Sequence, residues 1–442
     1  MIDRLKRLRP EDALSFFRAK GLAAPNRRFD HRDVWRNEHA SNFVVAKAMR
    51  IEVLELIRAE LDRALADGGT LRTFSEALEP QLKKLGWWGQ GSERDPLTGE
   101  LKNVQLGSRR RLKVIFNANM RAAHAAGKWA RIERIKDALP FLRYVQIERA
   151  TKRADHAIYH DLVLPVDDPA WERIYPPNGW NCGCTVQQMS QAMLDRRGLS
   201  VTEDFRLQER DVLNRRSGEI ERIALGVDPA WDGNAGKAWL DLSGRHAAIS
   251  GGLPAAAAAT ELGFAARARL FGLAEGREHM GMFDLATGQE IDWNIGRGDR
   301  VRLTGTMLTQ LAAGRQLGLV HNHPSSHPLS PTDMDLMFRR NVASILAVGH
   351  DGSLYRAVRL SSARVSVVGF QDVAGEMIDE IVPDLNPTDR DHAIRLIVLE
   401  VLRAQGLILY SESPGARALA VRQRVGRPVA EVVRAINEML EE

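Results

Sequence analysis

Apolar residues recur at helical spacing through the first third of the chain. Val45, Met49, Val53, Leu54, Ile57, Leu61 and Leu65 form one stripe, which predicts a long helix over 43–67. Asn42 would cap it and Asp67-Gly68-Gly69 would stop it. An earlier short helix opens at Pro10-Glu11-Asp12. A later one starts at Thr70 or Thr73 and runs to about Leu85, before Gly86-Trp87-Trp88-Gly89, whose tryptophans are expected to pack into a core. The chain is helical again from Ser108, where Val114, Ile115, Ala118, Ala122 and Ala125, with Gly127, make a face of small residues suited to close packing.

From 140 to 185 the pattern changes to short strands and loops, interrupted by Pro165, Pro169, Pro176 and Pro177. Residues 191–261 mix charge with Gly and Pro and read as a connector, with Ser250-Gly-Gly-Leu-Pro and an alanine run as a tether. A second patterned region follows over 262–372. Apolar runs at 280–285, 289–293, 317–323, 345–348 and 354–360 predict strands, and 331–340 predicts a helix packed among them. Thr287-Gly288 and Asp351-Gly352 are hairpin signals. Residues 373–442 read as a helical region. There Leu396, Ile397, Leu399, Val401 and Leu402 are apolar on too many sides for an exposed helix. The expected architecture is therefore multidomain α+β. A helical module with a strand-and-loop element (1–190) precedes an α/β domain (262–372) and a helical tail.

Composition narrows the class. At 442 residues the chain has room for several cores. Only Cys182 and Cys184 are present, which excludes a disulfide scaffold. The charged start, Met-Ile-Asp-Arg-Leu-Lys-Arg, lacks the apolar stretch of a secretory signal, and no run approaches 18 apolar residues, so no membrane association is expected. The net charge of +5 is uneven: residues 101–150 hold twelve Lys/Arg against three acids, or +9. Such a stretch is either a footprint for phosphates, such as those of DNA, or for an acidic partner, or else a solvated helix face.

The candidate chemistry lies at 321–333, His-Asn-His-Pro-Ser-Ser-His-Pro-Leu-Ser-Pro-Thr-Asp. His321 and His323 close an apolar strand and, two apart, point to one side of it. Ser330-Pro331-Thr332-Asp333 is a helix start with Ser330 as cap. Two histidines and one carboxylate leave the fourth corner of a Zn²⁺ tetrahedron open for water, the arrangement hydrolysis needs. A bare helix cap beside polar surface histidines is the alternative. The run resembles the signature of JAB/JAMM (MPN) zinc metalloproteases and their RadC-like relatives. That resemblance implies zinc held by His321, His323 and Asp333, with Ser330 supporting the oxyanion and an upstream Glu as general acid/base. The segment Gly276-Arg-Glu-His-Met280 resembles the opening of the RadC-like domain and makes Glu278 the candidate, with Glu275 and Glu290 as rivals. His279 and His327 are read as locally exposed bystanders.

A second cluster lies in 151–185. Cys182 and Cys184, with His156 and His160 at i, i+4 spacing, could complete a Cys₂His₂ zinc site, against buried structural thiols. The order of elements here resembles the Mu F-like family of phage head morphogenesis (minor capsid) proteins. It runs from Ile115-Phe-Asn-Ala-Asn-Met-Arg121, through Arg153-Ala-Asp-His156 and Asp167-Asp-Pro-Ala-Trp171, to Pro176-Pro-Asn-Gly-Trp180 and Cys182-Gly-Cys184. This covers roughly 8–190 and implies a virion protein acting near the portal, with capsid proteins as partners and DNA contact through 101–150. The combined expectation is a minor capsid protein carrying a JAMM-like peptidase or isopeptidase domain whose protein substrate is unknown. The alternatives are a purely structural chain, or a RadC-like, nucleic-acid-associated second half.

Overall fold

A computed structural model describes residues 10–20, 29–36, 42–96, 98–148, 153–215, 218–298, 300–340, 342–363 and 365–441. The charged N-terminal start, Arg149 of the basic stretch, and Thr151 and Lys152 lie outside the described residues. The chain divides into two compact units, Met1–Asp241 and Leu242–Glu442. Among the described residues, no helix is long and apolar enough to cross a membrane.

In the first unit, helix α1 (Glu11–Arg18) packs on α2 (Ile51–Asp67), α3 (Leu71–Lys84) and the long α4 (Arg109–Arg134). Phe16, Phe17, Leu54, Ile57, Leu61, Leu78, Leu82 and Trp87 form this core. A Cβ on Gly127 would stand 3.0 Å from the Ala13 backbone, so the glycine permits close approach of α4 to α1. Thr70 and Ser108 cap α3 and α4 as their sequences suggest, and Gly68, at φ +74°, ends α2. The start of α2 differs from expectation. Residues 43–50 are not helical, and Lys47, at φ +64°, is incompatible with a right-handed helix. Phe43 and Val45 reach the core from this loop instead.

A hairpin of β1 (Gln90–Arg94) and β2 (Leu101–Gln105) precedes α4. The other side of α4 covers a three-stranded antiparallel sheet with β3 (Phe141–Val145) between β4 (Val163–Pro165) and β5 (Thr185–Met189). Trp129, Leu142, Tyr144, Leu164, Trp171 and Trp231 fill the space between them. The stretch expected to be a connector is built structure. It holds a hairpin of β6 (Glu209–Leu213) and β7 (Ile220–Ala224), helix α5 (Ala235–Ile249), and the start of α6 (Ala255–Glu275). The alanine run belongs to α6, since alanine is the strongest helix former; only 250–254 remains a turn.

The second unit is a six-stranded sheet in the order β13-β12-β11-β10-β8-β9. These are β8 (His279–Asp284), β9 (Glu290–Ile295), β10 (Leu317–His323), β11 (Ser344–Gly349), β12 (Leu354–Arg359) and β13 (Ile408–Ser413). β10 and β11 run parallel; the other pairs are antiparallel. Strand alternation sorts the side chains into two cores. Val320, Leu346, Val348 and Leu354 face α6 with Phe264, Ala265 and Ala268. Leu317, Leu319, Ile345, Ala347 and Tyr355 face the other way, toward α7 (Gly305–Ala312), α8 (Pro331–Arg340) and α10 (Pro387–Ala404). The helical tail is a correction: α9 (Val368–Ile381), α10 and α11 (Ala416–Glu441) pack together, but β13 lies between α10 and α11 and forms a sheet edge on β12. The α/β domain therefore does not end at 372. Ile408 and Tyr410 alternate into its core.

Candidate metal centre

His321 and His323 share a sheet face with Leu317 and Leu319 and are 2 % and 4 % exposed. Their Nε2 atoms are 2.9 Å apart. Asp333, at the start of α8, places Oδ1 3.3 Å from His321 Nε2 and Oδ2 3.5 Å from His323 Nε2. A tetrahedral zinc with bonds of about 2.0–2.2 Å sets its donor atoms about 3.3 Å apart; the two carboxylate–imidazole separations match this, and the two imidazole nitrogens, at 2.9 Å, would have to part by a few tenths of an ångström.

The surroundings orient each ligand. Ser330 and Asp333 form a reciprocal cap: the Ser330 N–H and O–H both donate to Asp333 Oδ2 at 2.7 Å, and the Asp333 N–H donates to Ser330 Oγ at 3.2 Å. The helix start thus aims the carboxylate. His323 Nδ1–H donates to the His327 carbonyl at 2.8 Å, which leaves the Nε2 lone pair for a metal. His327 in turn meets Asp391 Oδ2 at 2.6 Å through Nδ1, and Arg395 binds Asp391 at 2.9 Å and the Pro328 carbonyl at 3.2 Å. Helix α10 therefore holds the 324–330 loop. Burial pushes the Asp333 carboxyl up, but His321 and His323 carry it well below the usual range. Burial lowers both imidazoles; Asp333 outweighs this at His321, which is raised, and not at His323, which stays lowered.

The acid candidates separate by position. Met280 stands opposite His321 in the β8–β10 register. Glu278, two residues earlier, falls on the same face, is buried, and is among the charges acting on His321. Glu290 pairs with Phe283, on the other face, and binds the buried Arg267 guanidinium at 2.8 Å. Glu275 lies 3.4 Å from His279 Nε2. His279 and His327, expected to be exposed, are both buried. His279 packs between Phe271 and Trp293, and His327 packs against His392. Sequence reading missed Asp391 and Arg395. Their i, i+4 spacing on α10 is ordinary for a helical ion pair and points nowhere by itself.

In the first unit His156 Nδ1 lies 3.5 Å from both Cys182 Sγ and Cys184 Sγ. His160 does not join them. The segment Ala154–Tyr159 is a 3₁₀ helix, in which residues four apart diverge by about a third of a turn. His160 Nδ1 instead accepts the Gln146 N–H at 3.2 Å. The basic stretch is largely engaged within the unit. Lys102, Arg109, Arg134, Lys136 and Arg143 pair with Asp95, Glu79, Asp12, Asp167 and Asp161. Arg111, Arg121 and Lys128 donate to backbone carbonyls, those of Arg121 and Lys128 belonging to Cys182 and Val186.

The profile of the Phage Mu protein F like protein family matches residues 55–187. Two curated relatives are similar. "Putative capsid assembly protein F" of Escherichia phage Mu is 37 % identical over 246 residues, covering 52 % of this chain and 55 % of its own length. The Mu-like prophage FluMu F protein of Haemophilus influenzae is 35 % identical over 214 residues, 45 % of this chain and 50 % of its own. The chain thus spans about half the length of the curated relatives it matches. No solved structure matches it. The part of the chain similar to the Phage Mu F-like family, residues 55–187, runs from within α2 to β5 of the first unit.

Proposed function

We propose that this chain is a phage or prophage capsid-assembly protein whose second unit carries a JAMM-like zinc hydrolase. The first half of the reading rests on the family match and on the name of the phage Mu relative. On this reading the chain would act in the virion, near the portal and in contact with capsid proteins. The second half rests on one observation: three buried donor atoms from His321, His323 and Asp333, at 2.9–3.5 Å separations suited to a tetrahedral ion.

Zinc bound there would polarise a scissile carbonyl and lower the pKa of water. The chain's own residues supply the rest. Glu278, on the ligand face beside His321, takes the proton of the attacking water and returns it to the leaving amine of an amide or isopeptide bond. Asp333 reaches the surface more than the two histidines do, with 13 % of its side chain exposed, so substrate approaches from the α8 side. Ser330 would donate to the developing oxyanion. Its hydroxyl now donates to Asp333, so this role requires rotation about χ1.

That same bond favours a second reading, in which the cluster is a structural clamp joining β10 to α8. Co-expression with capsid proteins separates the two. Glu278→Gln is expected to keep its metal and leave a capsid or scaffold protein uncut that the unaltered chain cuts. Identical product patterns for the two chains, both metal-loaded, would leave the clamp.

A further inference from the structure

We propose that His156, Cys182 and Cys184 form a second, thiolate-based metal centre in the first unit, taking Zn²⁺ or another thiophilic divalent ion. It is independent of the hydrolase reading. Three donor atoms of different residues lie within 4.8 Å of one another. The two nitrogen–sulfur separations are both 3.5 Å, the value about 2.0–2.1 Å Zn–N and 2.3 Å Zn–S bonds give at a tetrahedral angle. His156 is 1 % and Cys182 2 % exposed, and both thiols are unbridged. Cysteines two apart bridge each other poorly, so a disulfide is not the alternative use of the pair.

The surroundings are built for thiolates. Cys182 accepts a hydrogen bond from the Asn178 N–H. The Cys184 N–H donates to Cys182 Sγ at 3.4 Å. The Tyr144 hydroxyl hydrogen-bonds Cys184 and accepts from Asn178 Nδ2 at 3.1 Å. Donors aimed at sulfur are the surroundings expected of a metal-bound thiolate.

Residues flanking His156 and Cys182 fix this geometry. Arg153, three residues before His156, pairs with Asp228 at 3.0 Å and donates to the Trp180 carbonyl at 3.2 Å. A Cβ on Gly179 would meet Asp228 Oδ2 at 2.5 Å and Arg153 Nη1 at 2.8 Å, so a larger residue there would displace that ion pair. Arg121 from α4 anchors the Cys182 carbonyl at 2.5 Å. The ion would tie the 3₁₀ segment to the loop entering β5. Among the described residues no fourth His, Cys, Asp or Glu joins the set, which leaves the fourth position to solvent.

Cobalt substitution of the full chain tests this. Thiolate-to-cobalt charge-transfer absorption arises only where sulfur ligates, so the His₂Asp cluster contributes none. The band is expected in the unaltered chain and in His323→Ala, and lost in Cys184→Ser and His156→Ala. Should those variants misfold, a second readout uses the unaltered chain. Its two thiols should react severalfold faster with a thiol reagent after chelator treatment. A folded chain with no charge-transfer band, and thiols equally reactive with and without chelator, would overturn the site and leave free cysteines.

Discussion

At the residue scale, Ser330 and Asp333 show how one short motif performs two jobs. Their reciprocal hydrogen bonds start helix α8 and also aim the carboxylate at the histidine pair. Ser330→Ala removes a cap and should lower the stability of the second unit by about 1 kcal/mol. It should also weaken metal binding by loosening Asp333, and thermal unfolding with and without chelator measures both. An unchanged metal affinity would show that the cap does not orient the ligand. That His321, His323 and Asp333 come together was legible in sequence, because spacing of two on a strand and a cap three residues before an acid are local rules. Glu278 was readable only through the family resemblance. His160 misled because i, i+4 pairing presumes an α-helix, and Ala154–Tyr159 is wound as 3₁₀. Asp391 and Arg395, distant in sequence, carried no local signal.

At the scale of elements, β10 and α8 follow their predicted bounds because both have strong terminators, Pro324 after the strand and Ser330-Pro331 before the helix. Strand β13 escaped notice because it lies between two helices and its apolar residues are few. Lys47, a non-glycine residue at positive φ, likewise gave no warning that α2 starts late. The all-round apolar pattern of α10 was readable. Leu399 and Leu402 pack beneath the sheet while Ile397 and Val401 meet α9 and α11. Leu399→Ala should therefore cost about 2–5 kcal/mol, measured by denaturant unfolding; a loss under 1 kcal/mol would contradict a buried α10. Acid should weaken the same unit. Burial lowers His392 to about 3 and His350 to about 4, from an ordinary 6.5. The unfolded chain then binds more protons between those values. Stability should be full above about pH 6.5 and fall as pH drops toward 4. A flat stability profile between pH 7 and 4 would show these histidines charged in the fold.

At the scale of the whole molecule, the chain divides between Asp241 and Leu242, inside the stretch read as a tether, which folds into a hairpin and helices. The concentration of positive charge in 101–150 overstated its reach. Most of those cations bind partners inside the first unit, and among the described residues Arg110, Lys113 and Arg131 are the ones with neither an acid nor a backbone carbonyl as partner. With Arg149 these make four, so at about 0.9 per phosphate contact the log–log salt slope for DNA binding by this segment should be no steeper than about −4. A slope near −8 would mean the internal pairs open on DNA. The central claim is that the second unit holds a metal on His321, His323 and Asp333. Elemental analysis of the purified full chain and of His323→Ala tests it most directly. The predicted result is one zinc fewer per chain in the variant, with the fold retained by circular dichroism. Equal metal content in the two chains would contradict it.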